Sequence, residues 1–467
     1  MSKFMGLVKN EYIKQLKKKS TMFIFILVAI VAFGFSGLVK LMTVIDADVD
    51  EIKENFKSYD YSEQIETAKN ENDEKLEKYY IYLQDNKINM TNWKLPLADV
   101  ILYPENADFN DPALIAGGLY DGDIYELYDG FIKNSDWKGY YEFLKSKFGD
   151  NEDVKWAIDF RLDNDIAPEE DSYSDDADWR NSVLYQYTEA AIGKQTAAGD
   201  KLKQSYEDKL LTAKYRLEND VSLNIAGNSM TDMVSENSDS EYETGGIDKI
   251  TFWSAFSSST SSVTFIGLLI IVIAGGIIAS EFSNGTIKFL LINPRTRGKI
   301  LISKYVTVIT IGYLMIIICY IISLLSSFLF FGVSDTGAMY VQTSQGVTKA
   351  VSGFIYILEQ YMLSSVYVVV MATFAFAISS VVKSASLAIG LGIFAMSMGE
   401  NAVQILKMAF NVDAGRYTIF ANSNLQTIAM GQTIFPGQTL GFAVAVIVIH
   451  MVVFLLTAWD GFVRRDV

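Results

Sequence analysis

One cysteine and one histidine are all that the 467 residues offer for thiol or imidazole chemistry. Cys319 lies inside an uncharged stretch, so no disulfide can form within the chain and its polar regions must stand on packing alone. His450 also sits in an uncharged stretch, with no Cys, Asp or Glu at metal-ligand spacing, which favours a helix-packing or cavity role over metal binding. Without a nucleophile–base pair or a metal cluster, catalysis on this chain is not expected, and an ectoenzyme is the weakest reading. A phosphate loop is missing too. The nearest segment, "TEAAIGKQTA", has Thr188 where the first glycine belongs and Gln195 where Ser or Thr should follow Lys194, so any ATP is expected to be hydrolysed by a separate polypeptide.

Positive charge is in the minority: 39 Lys and Arg stand against 55 Asp and Glu, a net charge of −16, yet half of all residues are hydrophobic. One soluble globule rarely combines these properties, so they must occupy different regions. Ile45 to Ile250 holds 47 acidic and 21 basic residues, whereas the remainder holds 8 and 18. An acidic insert therefore interrupts a basic, apolar frame, and a nucleic-acid partner is not expected.

The frame carries uncharged runs to set against the roughly 20 apolar residues that cross a bilayer. Ser20–Val39, Ile250–Ser280, Tyr305–Ser334, Gln360–Val382, the shorter Ser384–Gly399, and Gln438–Trp459 beyond Pro436-Gly437 give six crossings. The first run is longer than the roughly 7–15 apolar residues of a signal core and shows no clear A-x-A site, so it reads as an uncleaved span. The expected fold is an all-α polytopic membrane protein of six transmembrane helices, with a large extracellular domain, mainly helical or α+β, between helices one and two. Lys and Arg are retained on the cytoplasmic side during insertion. They crowd the amino terminus, the loop from Lys288 to Lys304, Lys383 and the carboxyl end, while Lys349, Lys407 and Arg416 fall in the other loops. Both termini are thus expected inside and residues about 45–250 outside.

The insert is large enough for its own core. "DEIKENFKSYDYSEQIETAKNENDEKLEKYYIYLQDNK" predicts one charged amphipathic helix, with Ile65, Leu76, Tyr79, Tyr80 and Leu83 on its apolar face. A second long helix is expected from Asp178 to Val221, the two forming a stalk below a compact cap of irregular or strand structure. "APEEDSYSDDADW" and "LYDGDIYE" lack the full spacing of a calcium loop and read as solvated acidic surface. The aromatics Trp93, Tyr120, Tyr125, Tyr128, Trp137, Tyr140, Tyr141 and Trp156 read mostly as core. "NSMTDMVSENSDSEYETGG" reads as a linker back to the membrane.

"SEFSNGTIKFLLINPRTRGKILISKY", Ser280 to Tyr305, joins the second and third spans. Asn284-Gly285 permits a tight bend, "TIKFLLI" suits a short interfacial helix, and Pro294 ends it, leaving Arg295, Arg297 and Lys299 in water or on headgroups. A plain basic connector is the bland alternative.

Glu281, Gly285-Thr286, Leu290-Leu291, Pro294, Arg297 and Ser303-Lys304 resemble the E-x-x-x-G-T…L-L…P-x-x-R…S-K pattern that follows the second span in type-2 ABC transporter permeases. "WDGFVRRDV" is similar to the carboxyl ending of bacterial members, and "RYTIFANSNLQTIAMG" to their segment before the last span. The likeness covers about Met1–Val44 and Ser254–Val467, not the acidic insert.

Charge and hydropathy together with the resemblance give four expected regions: a cytoplasmic amphipathic interface helix (1–20), implied by the resemblance, on which Phe4, Leu7, Val8, Tyr12, Ile13 and Leu16 form the apolar stripe; a first transmembrane helix (21–44); the acidic extracellular domain (45–250), which the resemblance does not cover; and a five-helix transmembrane region (251–467). Within the last, the segment 281–304 would be a coupling loop docked on an ABC ATPase subunit. Glu281, Gly285, Thr286, Phe289, Leu290, Leu291, Pro294, Arg295, Arg297 and Lys304 are its expected coupling residues. A second permease copy, identical or not, would complete the pathway. No cofactor is expected on this chain, ATP and Mg belonging to the partner ATPase. Short re-entrant helices are expected between the fifth and sixth spans, at the break marked by Glu400-Asn401. Candidate pathway residues are Ser257, Ser258, Thr260, Ser261, Glu400 and His450, although Ser and Thr also serve close helix packing.

The function expected is that of a permease subunit of an ATP-driven exporter of an amphipathic peptide, lipid or drug, antimicrobial peptides included. The competing expectation is a non-exporting membrane sensor or scaffold whose outer domain binds a ligand and signals to cytosolic partners.

Overall fold

The computed structural model describes residues 2–45, 56–103, 122–148, 150–171, 174, 177–225, 251–286, 294–332, 337–344, 346–382, 384–410, 413–429, 433–435 and 437–464. The chain divides into two compact units. Met1–Lys40, Phe252–Val333 and Phe354–Val467 form the first; Leu41–Thr251 and Ser334–Gly353 form the second.

The first unit opens with α1 (Ser2–Leu16) and α2 (Lys19–Ile45), separated by a turn at Lys17-Lys18. The chain then enters the second unit, where the described residues form α3 (Ser62–Glu71), α4 (Glu74–Asp85), α5 (Leu95–Leu102), α6 (Gly122–Asn134), α7 (Trp137–Lys147), α8 (Glu152–Asp163), α9 (Trp179–Thr196) and α10 (Asp200–Glu218). Each of the two long helices expected here is broken. Asn72 turns left-handed at φ 55°, and Asp73 starts α4 by accepting from the amides of Lys75 and Leu76 at 3.1 and 3.0 Å. Such an N-cap satisfies amides a helix start would leave orphaned. Gly199, at φ +98°, separates α9 from α10, so a helical hairpin stands where one long stalk helix was expected. The "TEAAIGKQTA" segment is mostly helical within α9, and Lys194 pairs with Asp153 at 3.1 Å.

The second unit packs on its own core, in which Leu83, Tyr128, Val183 and Tyr187 are all but inaccessible. Trp93, Tyr141 and Trp156 are partly buried against it, in keeping with the core reading of the aromatics. Tyr120 and the whole of the linker sequence lie outside the described residues.

Strand structure falls elsewhere than expected. The segment from Leu95 is helical where described, whereas β1 (Met339–Ser344) and β2 (Val347–Ser352), in the loop after the third span, form an antiparallel hairpin belonging to the second unit. Asn224 fastens it: its side chain donates to the Val341 carbonyl at 2.9 Å and accepts from the Val341 amide at 2.8 Å. Thr212 accepts from the Thr343 amide at 3.0 Å, and Asp208 from the Gly346 amide at 2.9 Å. Periodicity within 339–352 could not announce this, because the partners lie more than a hundred residues upstream.

Back in the first unit, α11 (Phe252–Ser258), a 3-10 turn (Ser259–Ser261) and α12 (Ser262–Ser283) continue one another. Next come α13 (Pro294–Phe331), α14 (Gly353–Val381), α15 (Ala385–Phe410), the short α16 (Ile419–Asn422) and α17 (Leu425–Ala429), and finally α18 (Leu440–Val463). Among the described residues six helices are long and apolar enough to cross a membrane: Lys19–Leu41, Phe252–Ser283, Arg297–Phe331, Gly353–Val381, Ala385–Phe410 and Leu440–Val463. The chain is thus an all-α polytopic protein by the length and composition of its helices.

The Phe252–Ser283 span is the most buried and forms the centre of the first unit. Small residues let neighbours approach it. A Cβ on Gly275 would come within 3.3 Å of the Ile389 backbone, and one on Gly392 within 2.7 Å of Ile271 Cγ2. Hydroxyl groups tie other helices: Ser36 bonds Ser326 at 2.9 Å between α2 and α13, and Ser259 bonds Tyr361 at 2.8 Å between the 3-10 turn and α14.

Two expectations are corrected. Glu400-Asn401 is no break: α15 runs through it, with Asn401 donating to the Ser397 carbonyl at 2.9 Å and Gln404 reaching Glu400 at 3.5 Å, bonds made one turn away on the same helix. The short helices come later, at α16 and α17. Second, Arg295 to Lys304 are not loop. Proline fits the first position of a helix, and α13 begins at Pro294 and runs 38 residues, about 57 Å, well beyond a hydrocarbon core of about 30 Å.

Candidate functional site

α1 carries the only acidic residue among the first 45, Glu11, and α13 carries Lys304, whose side chain is completely buried. Lys304 Nζ donates to Glu11 Oε2 at 3.0 Å and to Glu281 Oε1 at 3.4 Å. Glu281 comes from the last turns of α12 and is itself buried. It also pairs with Lys14 of α1, and Thr286 donates to its second oxygen. Two carboxylates and two ammonium groups from α1, α12 and α13 therefore neutralise one another. An ammonium buried this deeply is tolerable only when so matched.

The local sequence explains the arrangement. Glu11 and Lys14 are three apart on α1 and share a face. Gly285, at φ +70°, turns the chain straight after α12, so that Thr286 folds back on Glu281. Lys18, just past α1, is half-buried. Burial first, then the like charges of Lys14 and Lys304, hold its ammonium below the ordinary lysine range, with Glu281 and Glu11 opposing.

The same end of the helices receives the carboxyl terminus. Arg297 donates to the Val463 carbonyl at 3.4 Å, and a Cβ on Gly298 would strike the Trp459 ring at 2.6 Å, so only glycine allows this contact as built. Gly461 in turn lies against the end of α14, its Cβ position 3.2 Å from the Ser380 carbonyl oxygen.

Of the expected coupling residues, the structure thus joins Glu281, Thr286 and Lys304 directly, with Gly285 at the turn and Arg297 against α18. Phe289, Leu290 and Leu291 lie outside the described residues; Pro294 and Arg295 form the first turn of α13. The pathway candidates divide. Ser258 and Thr260 are buried, Ser257 half-buried and Ser261 exposed. Thr260 accepts from Gln426 at 3.1 Å, and Gln426 accepts from Ser364 of α14 at 2.5 Å, which fixes α17 in place. Glu400 and His450 are not drawn into this cluster: Glu400 bonds Gln404 and His450 the Val446 carbonyl, each on its own helix. Among the described residues no group of three or more His, Cys, Asp or Glu could hold a metal ion.

Sequence reasoning missed Glu11, Lys14 and Gln426. The signal for the first was present, a lone acid in a leader of lysines, since an isolated charge of the minority sign calls for a partner.

Similar proteins carry little functional description. Two proteins of Bacillus subtilis (strain 168) are similar: "Uncharacterized protein YhcI", 30% identical over 293 residues that cover 62% of this chain and 84% of that protein, and "Uncharacterized membrane protein YdbK", 32% identical over 200 residues that cover 43% and 76%. No solved structure matches. Residues 228–467 match the family described as "Protein of unknown function (DUF2705)", and the chain belongs to that family.

Proposed function

We propose that the chain is the transmembrane permease subunit of an ATP-driven ABC exporter, moving an amphipathic peptide, lipid or drug across the cell membrane. ATP and Mg are held by a separate ATPase subunit, and a second permease chain completes the pathway. Both termini lie in the cytoplasm and residues about 45–250 outside.

One observation carries this reading. Residues far apart in sequence, namely Glu11 and Lys14, Glu281 and Thr286, and Lys304, are locked into one ion network, and Arg297 ties the start of α13 to the carboxyl end of α18. A rigid, charged end of a helical bundle is what a nucleotide-driven partner needs if its closure is to shift the spans between two packings. Phe289, Leu290 and Leu291 would enter the ATPase groove while Arg295 and Arg297 set its register. Ser257, Ser258, Thr260 and Ser261 would face the cargo.

The test is co-purification with a phosphate-loop ATPase from the same membranes. Arg297→Glu combined with Phe289→Asp abolishes it while membrane insertion persists; undiminished co-purification removes the coupling role from 281–304.

The extent of the second unit's own core also supports the sensor or scaffold reading. Cargo movement in vesicles linked to ATP turnover favours the exporter; ligand binding without such movement favours the sensor.

A further inference from the structure

Arg416 occupies the 3-10 turn Asp413–Tyr417, between α15 and α18. Its Nε is shut off from solvent and has no hydrogen-bond partner among the described residues. The guanidinium carbon lies 5.0 Å from the centre of the Phe442 ring and 5.8 Å from that of Tyr417, and the two rings meet at 5.7 Å. Among the described residues no carboxylate pairs with it; Asp413, its nearest acid in sequence, pairs with Lys407.

The backbone beneath is fixed. Asn422 donates to the Arg416 carbonyl at 2.7 Å, and Gln438 donates to Asn422 Oδ1 at 2.7 Å. A Cβ on Gly415 would already be 3.0 Å from Phe435 and Val403. So the arginine is held in place and only half-buried, and among the described residues its Nε–H meets no acceptor. The rest of the planar guanidinium fork suits phosphate oxygens.

The surroundings say where that phosphate comes from. α15 ends at Phe410 and α18 starts at Leu440, so the turn sits where two apolar helices stop, the depth of lipid headgroups. Met408 and Phe410 are 86% and 70% exposed, apolar surface suited to acyl chains rather than to water. We propose that Arg416, on the platform of Tyr417 and Phe442, binds the phosphodiester of an anionic phospholipid in the leaflet next to the Asp413–Tyr417 turn. This site does not depend on the exporter reading.

The experiment measures lipid retained by the purified full-length chain after exchange into detergent containing equal phosphatidylglycerol and phosphatidylcholine, by native mass spectrometry. The wild type retains phosphatidylglycerol preferentially, Arg416→Gln lowers that retention about fivefold, and Arg416→Lys keeps an intermediate level. Arg464→Gln, at the opposite end of α18, leaves retention unchanged. The site is overturned if Arg416→Gln retains as much phosphatidylglycerol as wild type, if Arg464→Gln loses as much, or if both lipids are retained equally. Displacement by inorganic phosphate at low millimolar concentration also overturns the lipid assignment, because the pocket would then take free phosphate.

Discussion

Lys304 and Glu11 stand 293 positions apart in the chain and meet at 3.0 Å, the lysine without any exposed surface. Their bond anchors the largely exposed amino-terminal helix to a buried side chain of α13. Removing one member of such a pair leaves an uncompensated charge, whereas removing both does not. Lys304→Met is therefore expected to destabilise the protein by about 3 kcal/mol, and the additional change of Glu11→Gln and Glu281→Gln to recover part of the loss. Thermal unfolding of the detergent-solubilised variants checks both. A triple variant less stable than Lys304→Met alone contradicts the pairing.

Gly298 is expected to be intolerant. Gly298→Leu drives a side chain into Trp459, and a strain of about 1–3 kcal/mol should separate the start of α13 from the end of α18. Trp459→Ala in the same chain relieves it. Fluorescence emission of Trp459, in a background where the other tryptophans are phenylalanine, reports the separation. No shift in Gly298→Leu would mean the two segments do not touch.

Asn224 is expected to govern the hairpin. Asn224→Ala removes both side-chain bonds to Val341, and amide exchange across 339–352 should rise about tenfold relative to α9 and α10. Unchanged exchange would assign the docking to the Thr212 and Asp208 contacts and to the backbone bonds of Met339 with Leu223 and Ile225.

The acid response of the second unit should run through Asp99. Burial raises its carboxyl to about 6, against the opposing hydrogen bond from Tyr79 at 2.6 Å. A folded value above the unfolded one means that the native state binds the proton more tightly, so this group stabilises the fold at low pH. That contribution fades as pH climbs from about 4 to about 6 and amounts at most to about 3 kcal/mol. Asp99→Asn should flatten the slope of stability against pH in that window. A slope that survives the substitution places its origin elsewhere.

Much of this was legible beforehand. The six apolar helices and the acid-rich second unit follow from charge and hydropathy, because both properties are written residue by residue along the chain. Caps such as Asp73 and Asn151 are of the residue types that start helices, yet the continuous charged pattern across 62–85 hid the left-handed Asn72. What periodicity cannot carry is long-range pairing: Thr212 with Thr343, Gln426 with Thr260, and Glu11 with Lys304 each depend on tertiary contacts. The Glu400-Asn401 break failed for a local reason, since two polar residues interrupt hydropathy without interrupting a helix whose side chains bond one turn away.

The proposed function requires that the end of the bundle bearing Glu281 and Lys304 face the cytosol. A cysteine placed at Thr296, in a chain whose Cys319 is changed to alanine, tests this with a membrane-impermeant thiol reagent on intact cells. The account predicts labelling only after the membrane is permeabilised. Labelling of intact cells would put the ion network on the outer face and contradict the proposal of an ATPase partner.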